Sequence, residues 1–182
     1  RRASVAPWLL DGDVRESEKL SALLRTLDSA PNVLVWVYHR DVCASVSEWL
    51  NAHGVGARSV SGENDVRERD DIIARFAAGE FRALVATLDS IRQGRTLTCT
   101  RNVVYAQLDW RRLSWRQSQG RVHRIGQRGT VVLEVPLLRG TLDGYMLDVL
   151  RRKDADADAT VDGVERAVTV DAMRLRACLE GE

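Results

Sequence analysis

The chain has 182 residues, of which 45% are hydrophobic and 29% are charged, and its formal net charge is +1. This length and composition are sufficient for one good-sized hydrophobic core and disfavour intrinsic disorder. The longest unbroken apolar run, 33–38, is far shorter than the roughly 20 residues that a membrane-spanning helix needs. The composition therefore excludes a membrane span and predicts a folded globular domain.

The cysteines and the N-terminal sequence indicate the cellular compartment in which the protein is located. Cys43, Cys99 and Cys178 are far apart and match no metal-binding or CxxC spacing. Their odd number and wide spacing are typical of a reduced, intracellular protein without a bound metal. The apolar stretch near the N-terminus is short and contains a proline, so we do not expect a secretory leader. We expect an intracellular location, in the cytoplasm or nucleoid, and a first residue other than Met is consistent with a piece of a longer protein.

Charge is distributed unevenly along the chain. Residues 92–128 contain nine arginines and one acid, Asp109, whereas residues 154–182 contain eight acids and three arginines. A GC-rich genome explains a preference for arginine over lysine, but it does not explain the absence of acids around those arginines. We expect the middle of the chain to attract phosphate groups and the C-terminal segment to repel them.

The hydrophobic pattern predicts helices and strands that alternate along the chain. Unbroken apolar runs indicate strands covered on both faces, and 3.6-residue periodicity indicates amphipathic helices. In chain order we predict a helix at 18–28, a strand at 33–38, a helix at 41–53, a strand at 57–60, a helix between Asp65 and Gly79, strands at 82–87 and 102–107, a helix at 111–124, a strand at 131–135 and a helix after Thr141 that Arg151, Arg152 and Lys153 close. This order predicts right-handed βαβ units and an α/β fold, an open parallel sheet with helices on both faces.

The chain divides into three parts. Residues 1–16 are a lead-in, and 17–153 form the folded lobe. From Asp154 onward, alternating Asp and Ala give way to a short apolar pattern. We predict an acidic connector and a peripheral helix for 154–182.

The segment 117–127 contains the strongest candidate for chemistry. In open α/β sheets ligands bind at the carboxyl ends of the strands, so the segments that follow those ends are considered first. On a continuous helix, Gln117, Arg121 and Arg124 stand at i, i+4 and i+7 and share one face, which Gly120 leaves open to a bulky ligand. Each planar guanidinium can hold two phosphate oxygens, so this stripe is a candidate polyphosphate clamp.

The alternative interpretation of this stripe is a solvated basic face, which is the usual role of an arginine-rich helix. We expect Val122 and Ile125, with Leu113 upstream, to pin the opposite side of the helix to the sheet. The arginines would then be held in place rather than merely exposed.

Residues 117–127 resemble motif VI of the Swi/Snf-type, helicase-like ATPases of superfamily two, with the sequence Gln-x-x-Gly-Arg-x-His-Arg-Ile-Gly-Gln. Other blocks follow in the order of that family. Val33 to His39 resembles motif IV, and 84–98 resembles motif V, closest to the annealing-helicase and phage-type branch. The Ser61-Gly62, Glu68-Arg69 and Phe76 positions, the Asp109-Trp110 block, and Gly140 to Asp143 with Lys153 resemble further family segments. The resemblance covers residues 17–153.

The resemblance implies the second RecA-like lobe of a DNA-dependent ATPase. In this family Arg121 and Arg124 would be catalytic and would reach across a cleft to the phosphates of ATP, with Arg124 as the arginine finger. Gln117 and Gly120 would contact the nucleotide from the same face. His39, Thr87 and Gly94 would hold the backbone of double-stranded DNA, which gives grip without base specificity. Trp110, which follows a predicted strand, is a further candidate for a DNA contact.

The chain lacks the nucleotide cradle of such enzymes. It contains no Gly-x-x-x-x-Gly-Lys-Ser/Thr loop and no Asp-Glu-x-His block for magnesium. The histidines have no spacing that predicts a metal site. We therefore expect ATP and Mg²⁺ to be held mainly by a first RecA-like lobe that this chain does not contain, and we expect the chain alone to be inactive.

Two segments depart from the family pattern. Arg111-Arg112 follows Asp109-Trp110 where the family has Asn-Pro, and motif V has the sequence Asp89-Ser90-Ile91-Arg92-Gln93 where small residues and glycines are usual.

Two alternative functions remain open. The chain could be a non-catalytic nucleic-acid-binding module that has lost its ATPase lobe. A small-molecule enzyme on a Rossmann-like sheet is disfavoured, since no GxGxxG loop is present. A Gly-Lys-Thr loop and an Asp-Glu box in the upstream coding sequence would favour the enzyme over the binding module.

Overall fold

The computed structural model describes residues 2–12, 16–91, 96–127, 129–161 and 173–176. Over these residues five helices and six strands alternate after a short 3-10 turn at Pro7–Leu9. The elements are α1 (Glu18–Ser29), β1 (Val33–Val37), α2 (Arg40–Ala52), β2 (Ala57–Val60), α3 (Val66–Ala77), β3 (Ala83–Thr87), β4 (Asn102–Tyr105), α4 (Arg112–Val122), β5 (Val131–Glu134), α5 (Asp143–Val161) and β6 (Met173–Arg176). The predicted elements up to β5 are confirmed within two residues at each end.

The strands form one parallel sheet in the order β2-β3-β1-β4-β5-β6. Every residue of β1 and β3 is buried. Their unbroken apolar sequences follow from this arrangement, because helices cover both faces of a central parallel strand. The predicted α/β fold with helices on both faces of an open parallel sheet is confirmed.

Two hydrophobic cores lie on opposite faces of the sheet. Leu34 and Trp36 of β1 face the core formed with α3, α4 and α5, whereas Val33, Val35 and Val37 face the core formed with α1 and α2. This alternation is the two-residue period of a strand. The predicted lead-in contributes to the second core, since Val5 and Ala6 are fully buried there.

Local sequence signals set the helix ends. Ser17 begins α1 by accepting a hydrogen bond from the backbone N–H of Leu20, and Asp65 begins α3 by accepting one from Glu68 at 2.8 Å. These side chains satisfy backbone donors that a helix start leaves without intrahelical partners. Gly79, which follows α3, has a φ of +77°, a conformation that favours glycine.

The C-terminal prediction is wrong over the described residues. The predicted connector from Asp154 is helical and continues α5 to Val161, so Arg151 to Lys153 lie inside the helix instead of closing it. Alanine has the highest helix propensity, and the Asp-Ala run therefore does not break the helix. Met173–Arg176 forms a strand that pairs with β5 where we predicted a peripheral helix. The rest of 162–182 lies outside the described residues.

A buried ion pair fastens α5 to α1 beside the end of β4. The ammonium of Lys19 lies 2.6 Å from Asp143 Oδ2 and donates a hydrogen bond to the carbonyl oxygen of Ala106. Burial lowers the pKa of Lys19, and the charge of Asp143 opposes that shift.

In the part of the chain that the structure describes, no helix has both the length and the apolar character needed to cross a bilayer.

Candidate functional site

The carboxyl ends of β1, β3 and β4 bring three loops to one edge of the sheet. β1 and β4 are neighbours, yet β1 leads into α2 on one face and β4 leads into α4 on the other. Such a switch point leaves a crevice between two strand ends, where open α/β sheets usually bind their ligands. The site is therefore expected at these loops.

Gln107 lies directly after β4 at this switch point. The side chain is buried, and its Oε1 accepts hydrogen bonds from the backbone N–H groups of Tyr38 and His39 at 3.0 and 3.1 Å. The amide thus joins the end of β4 to the start of α2. Sequence reasoning missed Gln107, although a polar residue directly after a buried strand is a signal that could have found it.

Helix α4 carries most of the predicted clamp. Gln117 and Gly120 are exposed, and Arg121 is half-buried. No atom lies within 4 Å of the position that a Cβ would take on Gly120, so the helix surface is open at this residue.

The opposite side of α4 packs on the sheet through few residues. Trp115, Ser118 and Val122 are the buried residues of the helix. The ring of Trp115 packs on that of Tyr105 with centroids 4.5 Å apart, and the hydroxyl groups of Tyr105 and Ser118 are hydrogen-bonded at 2.8 Å. These contacts hold the apolar face of the helix against β4.

Two expectations about this segment are wrong. α4 ends at Val122, so Arg124 lies in the turn beyond the helix and does not share a helical face with Gln117. Gly126 in that turn has a φ of +105°, which takes the chain out of the helical path. Ile125 is fully exposed and Leu113 is 67% exposed, so neither pins the helix to the sheet.

The segment that resembles motif V contacts the end of α4. The guanidinium of Arg124 donates a hydrogen bond to the hydroxyl of Thr96 at 3.0 Å, and the side chain of Arg124 is exposed. The backbone N–H of Leu97 donates to the carbonyl oxygen of Arg121 at 2.8 Å. The two predicted catalytic arginines are therefore joined directly to the loop that follows β3.

The predicted DNA contacts lie at different depths of the same edge. His39 is half-buried and lines an open groove of about 470 Å³ with Arg40 and Asp89 among its walls. Thr87 is buried, and its carbonyl oxygen accepts hydrogen bonds from the backbone and side chain of Ser90. The prediction for Gly94 lies outside the described residues.

Trp110 lies at the surface beside the start of α5. Its side chain is 36% exposed, and its ring meets the edge of the Tyr145 ring at a centroid distance of 5.9 Å. The tryptophans at positions 36 and 115 are buried. Trp110 is thus partly exposed at the surface.

The two departures from the family pattern meet in space. Arg111 Nε donates to Oδ2 of the buried Asp109 at 2.6 Å, and Arg111 Nη2 lies 3.4 Å from Oδ1 of Asp89. The hydrogen bond to Asp109 raises the pKa of Arg111. Arg111 therefore bridges the loop after β3 and the loop that leads into α4.

The predicted clamp residues carry groups that can donate hydrogen bonds to a phosphate. Gln117, Arg121 and Arg124 supply donors, and the open space at Gly120 admits a large group. Over the described ranges, no group of three or more histidine, cysteine, aspartate or glutamate side chains could hold a metal ion. The arrangement provides cations and hydrogen-bond donors.

A comparison with protein families identifies the chain. The family model described as "Helicase conserved C-terminal domain" matches residues 17–126, which is more than half of the chain. The chain belongs to this family. The matched residues include the loops after β1, β3 and β4 and the whole of α4.

Curated relatives agree with this assignment. The chain is 25% identical over 140 residues to the SWI/SNF-related matrix-associated actin-dependent regulator of chromatin subfamily A-like protein 1 of Drosophila melanogaster, covering 76% of this chain and 18% of the relative. It is 28% identical over 131 residues to the human DNA annealing helicase and endonuclease ZRANB3, covering 71% of this chain and 12% of the relative. The chain is a helicase C-terminal domain of the Swi/Snf type, and it spans less than a fifth of these relatives.

A solved structure supports the fold. The C-terminal part of the Fun30 ATPase domain superposes with a TM-score of 0.69 at 19% sequence identity, covering 74% of this chain and 46% of that chain. The helicase C-terminal domain described above is therefore RecA-like.

Proposed function

We propose that this helicase C-terminal domain is the second lobe of a DNA-dependent ATPase. It supplies Arg121 and Arg124 to ATP bound on a first lobe that is absent from this chain, and it contacts the backbone of double-stranded DNA. The observation that carries the proposal is the stripe on α4 formed by the exposed Gln117 and Gly120 and the half-buried Arg121, with the exposed Arg124 directly beyond the helix.

The chemistry of phosphoryl transfer explains the need for these side chains. Negative charge spreads over the transferred phosphoryl group, and a guanidinium that reaches it stabilises the transition state by roughly 10³ to 10⁵ in rate. Arg124 is the better candidate for this finger, since its side chain is exposed and stands beyond the helix end. Arg121 and Gln117 contact the phosphates from α4. ATP supplies the phosphoryl group, and the first lobe supplies the phosphate loop and the ligands of Mg²⁺.

Nucleic acid follows the carboxyl edge of the sheet in this proposal. His39 and Trp110 lie along the track, and the buried Thr87 supports the loop after β3. Gly94, outside the described residues, stays a predicted DNA contact. The many arginines of 92–128 attract phosphates without reading bases. The printed name of the human relative describes an enzyme that anneals DNA, which agrees with a DNA ligand. We also propose that the protein is intracellular and does not bind a membrane.

The catalytic part is tested in the protein that contains both lobes. Arg124→Ala is expected to reduce DNA-stimulated ATP hydrolysis by about 10³-fold or more, because it removes the finger. Arg139→Ala is the matched control, since Arg139 is an exposed arginine after β5. Wild-type turnover by the Arg124→Ala protein would show that the role belongs to another residue.

The second candidate function is a non-catalytic nucleic-acid-binding module, favoured by the missing phosphate loop and magnesium block. Both candidates predict that the isolated chain binds double-stranded DNA with an affinity that falls steeply as salt rises. A salt titration that shows no dependence would remove nucleic acid from both. The two are separated by ATP hydrolysis in the longer protein, because only the first candidate requires it, and the chain alone is expected to be inactive in either case.

A further inference from the structure

Helix α4 is held by an unusually narrow apolar face. Of its eleven residues only Trp115, Ser118 and Val122 are buried, and Leu113 is exposed. A helix with so few apolar contacts depends on other interactions to fix its position against the sheet. The polar contacts of α4 with neighbouring elements are therefore important for the direction in which Gln117 and Arg121 point.

One carboxylate of α5 supplies the best-defined of these contacts. Asp154 Oδ1 accepts hydrogen bonds from Arg112 Nε at 2.9 Å and from Arg116 Nε at 2.8 Å. Arg112 and Arg116 are four residues apart and therefore lie one above the other on the side of α4 that faces α5. The three side chains are 34%, 32% and 23% exposed, in the order Arg112, Arg116 and Asp154. Partial burial and two charge-assisted bonds to one oxygen make this contact stronger than a typical surface ion pair.

We propose that Asp154 is a positioning residue for α4. By holding two successive turns of the helix, it fixes both the rotation of α4 about its axis and its distance from α5, and so directs Gln117 and Arg121 toward the nucleotide. This inference rests on the proposed function for its catalytic consequence. Asp154 lies beyond the residues that the family model matches, and in the segment where the sequence predicted only an acidic connector.

The position of α4 matters for the rate because catalysis is sensitive to small displacements of the groups that contact the substrate. Arg116 directly precedes Gln117 in the helix. A rotation of α4 about its axis at Arg116 therefore moves Gln117 and Arg121 together. A misplacement of about 1 Å can cost up to about 100-fold in rate. Removing the carboxylate leaves two neighbouring guanidiniums that repel each other, which favours such a displacement.

The first arm of the test measures ATP hydrolysis in the protein that contains both lobes. Asp154→Asn is expected to lower kcat of the DNA-stimulated reaction about 3- to 10-fold with little change in KM for ATP. Asp154→Glu keeps the charge and is expected to restore most of the activity. Asp148→Asn, which removes an exposed carboxylate from the same helix, is the matched control and is expected to behave as wild type.

The second arm uses the isolated chain and does not depend on ATP. Amide hydrogen exchange over 112–122 is expected to become faster in Asp154→Asn than in Asp148→Asn, while exchange in β1 and β3 stays unchanged. Unchanged kcat together with unchanged exchange in α4 would overturn the positioning role. If the wild-type protein with both lobes hydrolyses no ATP, the proposed function fails, and the exchange measurement still decides whether Asp154 positions α4.

Discussion

Lys19 shows how a charged side chain becomes part of the interior of this fold. Its ammonium is almost completely buried and is held by Asp143 and by the carbonyl oxygen of Ala106. The sequence pattern of α1 predicted an apolar stripe and gave no sign of a buried cation, because the partner lies more than a hundred residues away. Buried charges are tolerated when they are paired and hydrogen-bonded.

Breaking this pair on one side is expected to be costly. Asp143→Ala leaves the ammonium buried without its counter-charge and should lower the free energy of unfolding by about 3 to 5 kcal/mol. Denaturant unfolding of the isolated chain measures the change. In the double variant Lys19→Met with Asp143→Ala, the loss should be much smaller than the sum of the losses in Lys19→Met alone and in Asp143→Ala alone. Additive losses would contradict the direct pairing of these residues.

The buried thiol of Cys43 makes the free energy of unfolding depend on pH in the alkaline range. Burial raises the pKa of its thiol from 9.0 to about 12, so the folded state keeps the proton over a range in which the unfolded state loses it. The unfolded state then binds fewer protons, and the stabilising contribution is complete below pH 9 and is lost as the pH rises toward 12. Thermal unfolding between pH 8 and 10.5 should show a shallower decline for Cys43→Ala than for wild type. Parallel curves for the two proteins would contradict this assignment.

Single residues at the site show the limit of sequence reasoning. The clamp residues are predicted from local spacing, and the position of a Cβ on Gly120 has no atom within 4 Å. The position of Arg124 was wrong, because a 3.6-residue period assumes a helix that continues, and α4 ends two residues earlier. Gln107 was missed, because its partners are backbone groups about 70 residues away.

At the scale of elements, Trp115 is the main apolar anchor of α4. It packs on Tyr105 and lies in the core with β4 and β5. Trp115→Ala should lower the free energy of unfolding by about 3 to 5 kcal/mol, since it leaves a large cavity in a face that has few other contacts. Leu113→Ala on the same helix is the matched control, because Leu113 is exposed, and should change it by less than about 0.5 kcal/mol. Equal effects of the two substitutions would contradict this orientation of the helix.

Gln107 joins the end of β4 to the start of α2 through its side-chain hydrogen bonds. Gln107→Met keeps the volume and removes the acceptor, so the Tyr38 and His39 N–H groups lose their partner. We expect a loss of about 1 to 3 kcal/mol in the free energy of unfolding. We also expect weaker DNA binding by the isolated chain, because His39 is no longer held. A variant with wild-type stability and affinity would show that the turn is fixed by other contacts.

Elements were predictable where the pattern was local and strong. The buried strands and the amphipathic helices follow directly from unbroken apolar runs and 3.6-residue periodicity. The C-terminal end was not predictable in this way. The helical continuation of α5 is supported by contacts of Asp154 with α4, and β6 gains its backbone partners from β5, so both depend on distant parts of the chain.

At the scale of the whole molecule, the domain presents donors for a phosphate without the loop that cradles one in the proposed first lobe. It provides arginines, an amide and an open glycine face, but its sequence contains neither a phosphate loop nor a magnesium block. The polar bridges from Arg111 and Arg124 join the loop after β3 to both ends of α4. A DNA contact at that loop is thereby linked physically to the residues proposed to act on ATP.

The most direct test of the central claim is a structure of the protein with both lobes bound to DNA, ADP and aluminium fluoride, a mimic of the transferred phosphoryl group. We expect the guanidinium of Arg124 to leave Thr96 and to lie at hydrogen-bond distance from the fluoride ligands, about 2.7 to 3.1 Å, with Arg121 on the neighbouring phosphate. A closed complex in which Arg124 still donates to Thr96 and both guanidiniums are out of reach of the nucleotide would contradict the account.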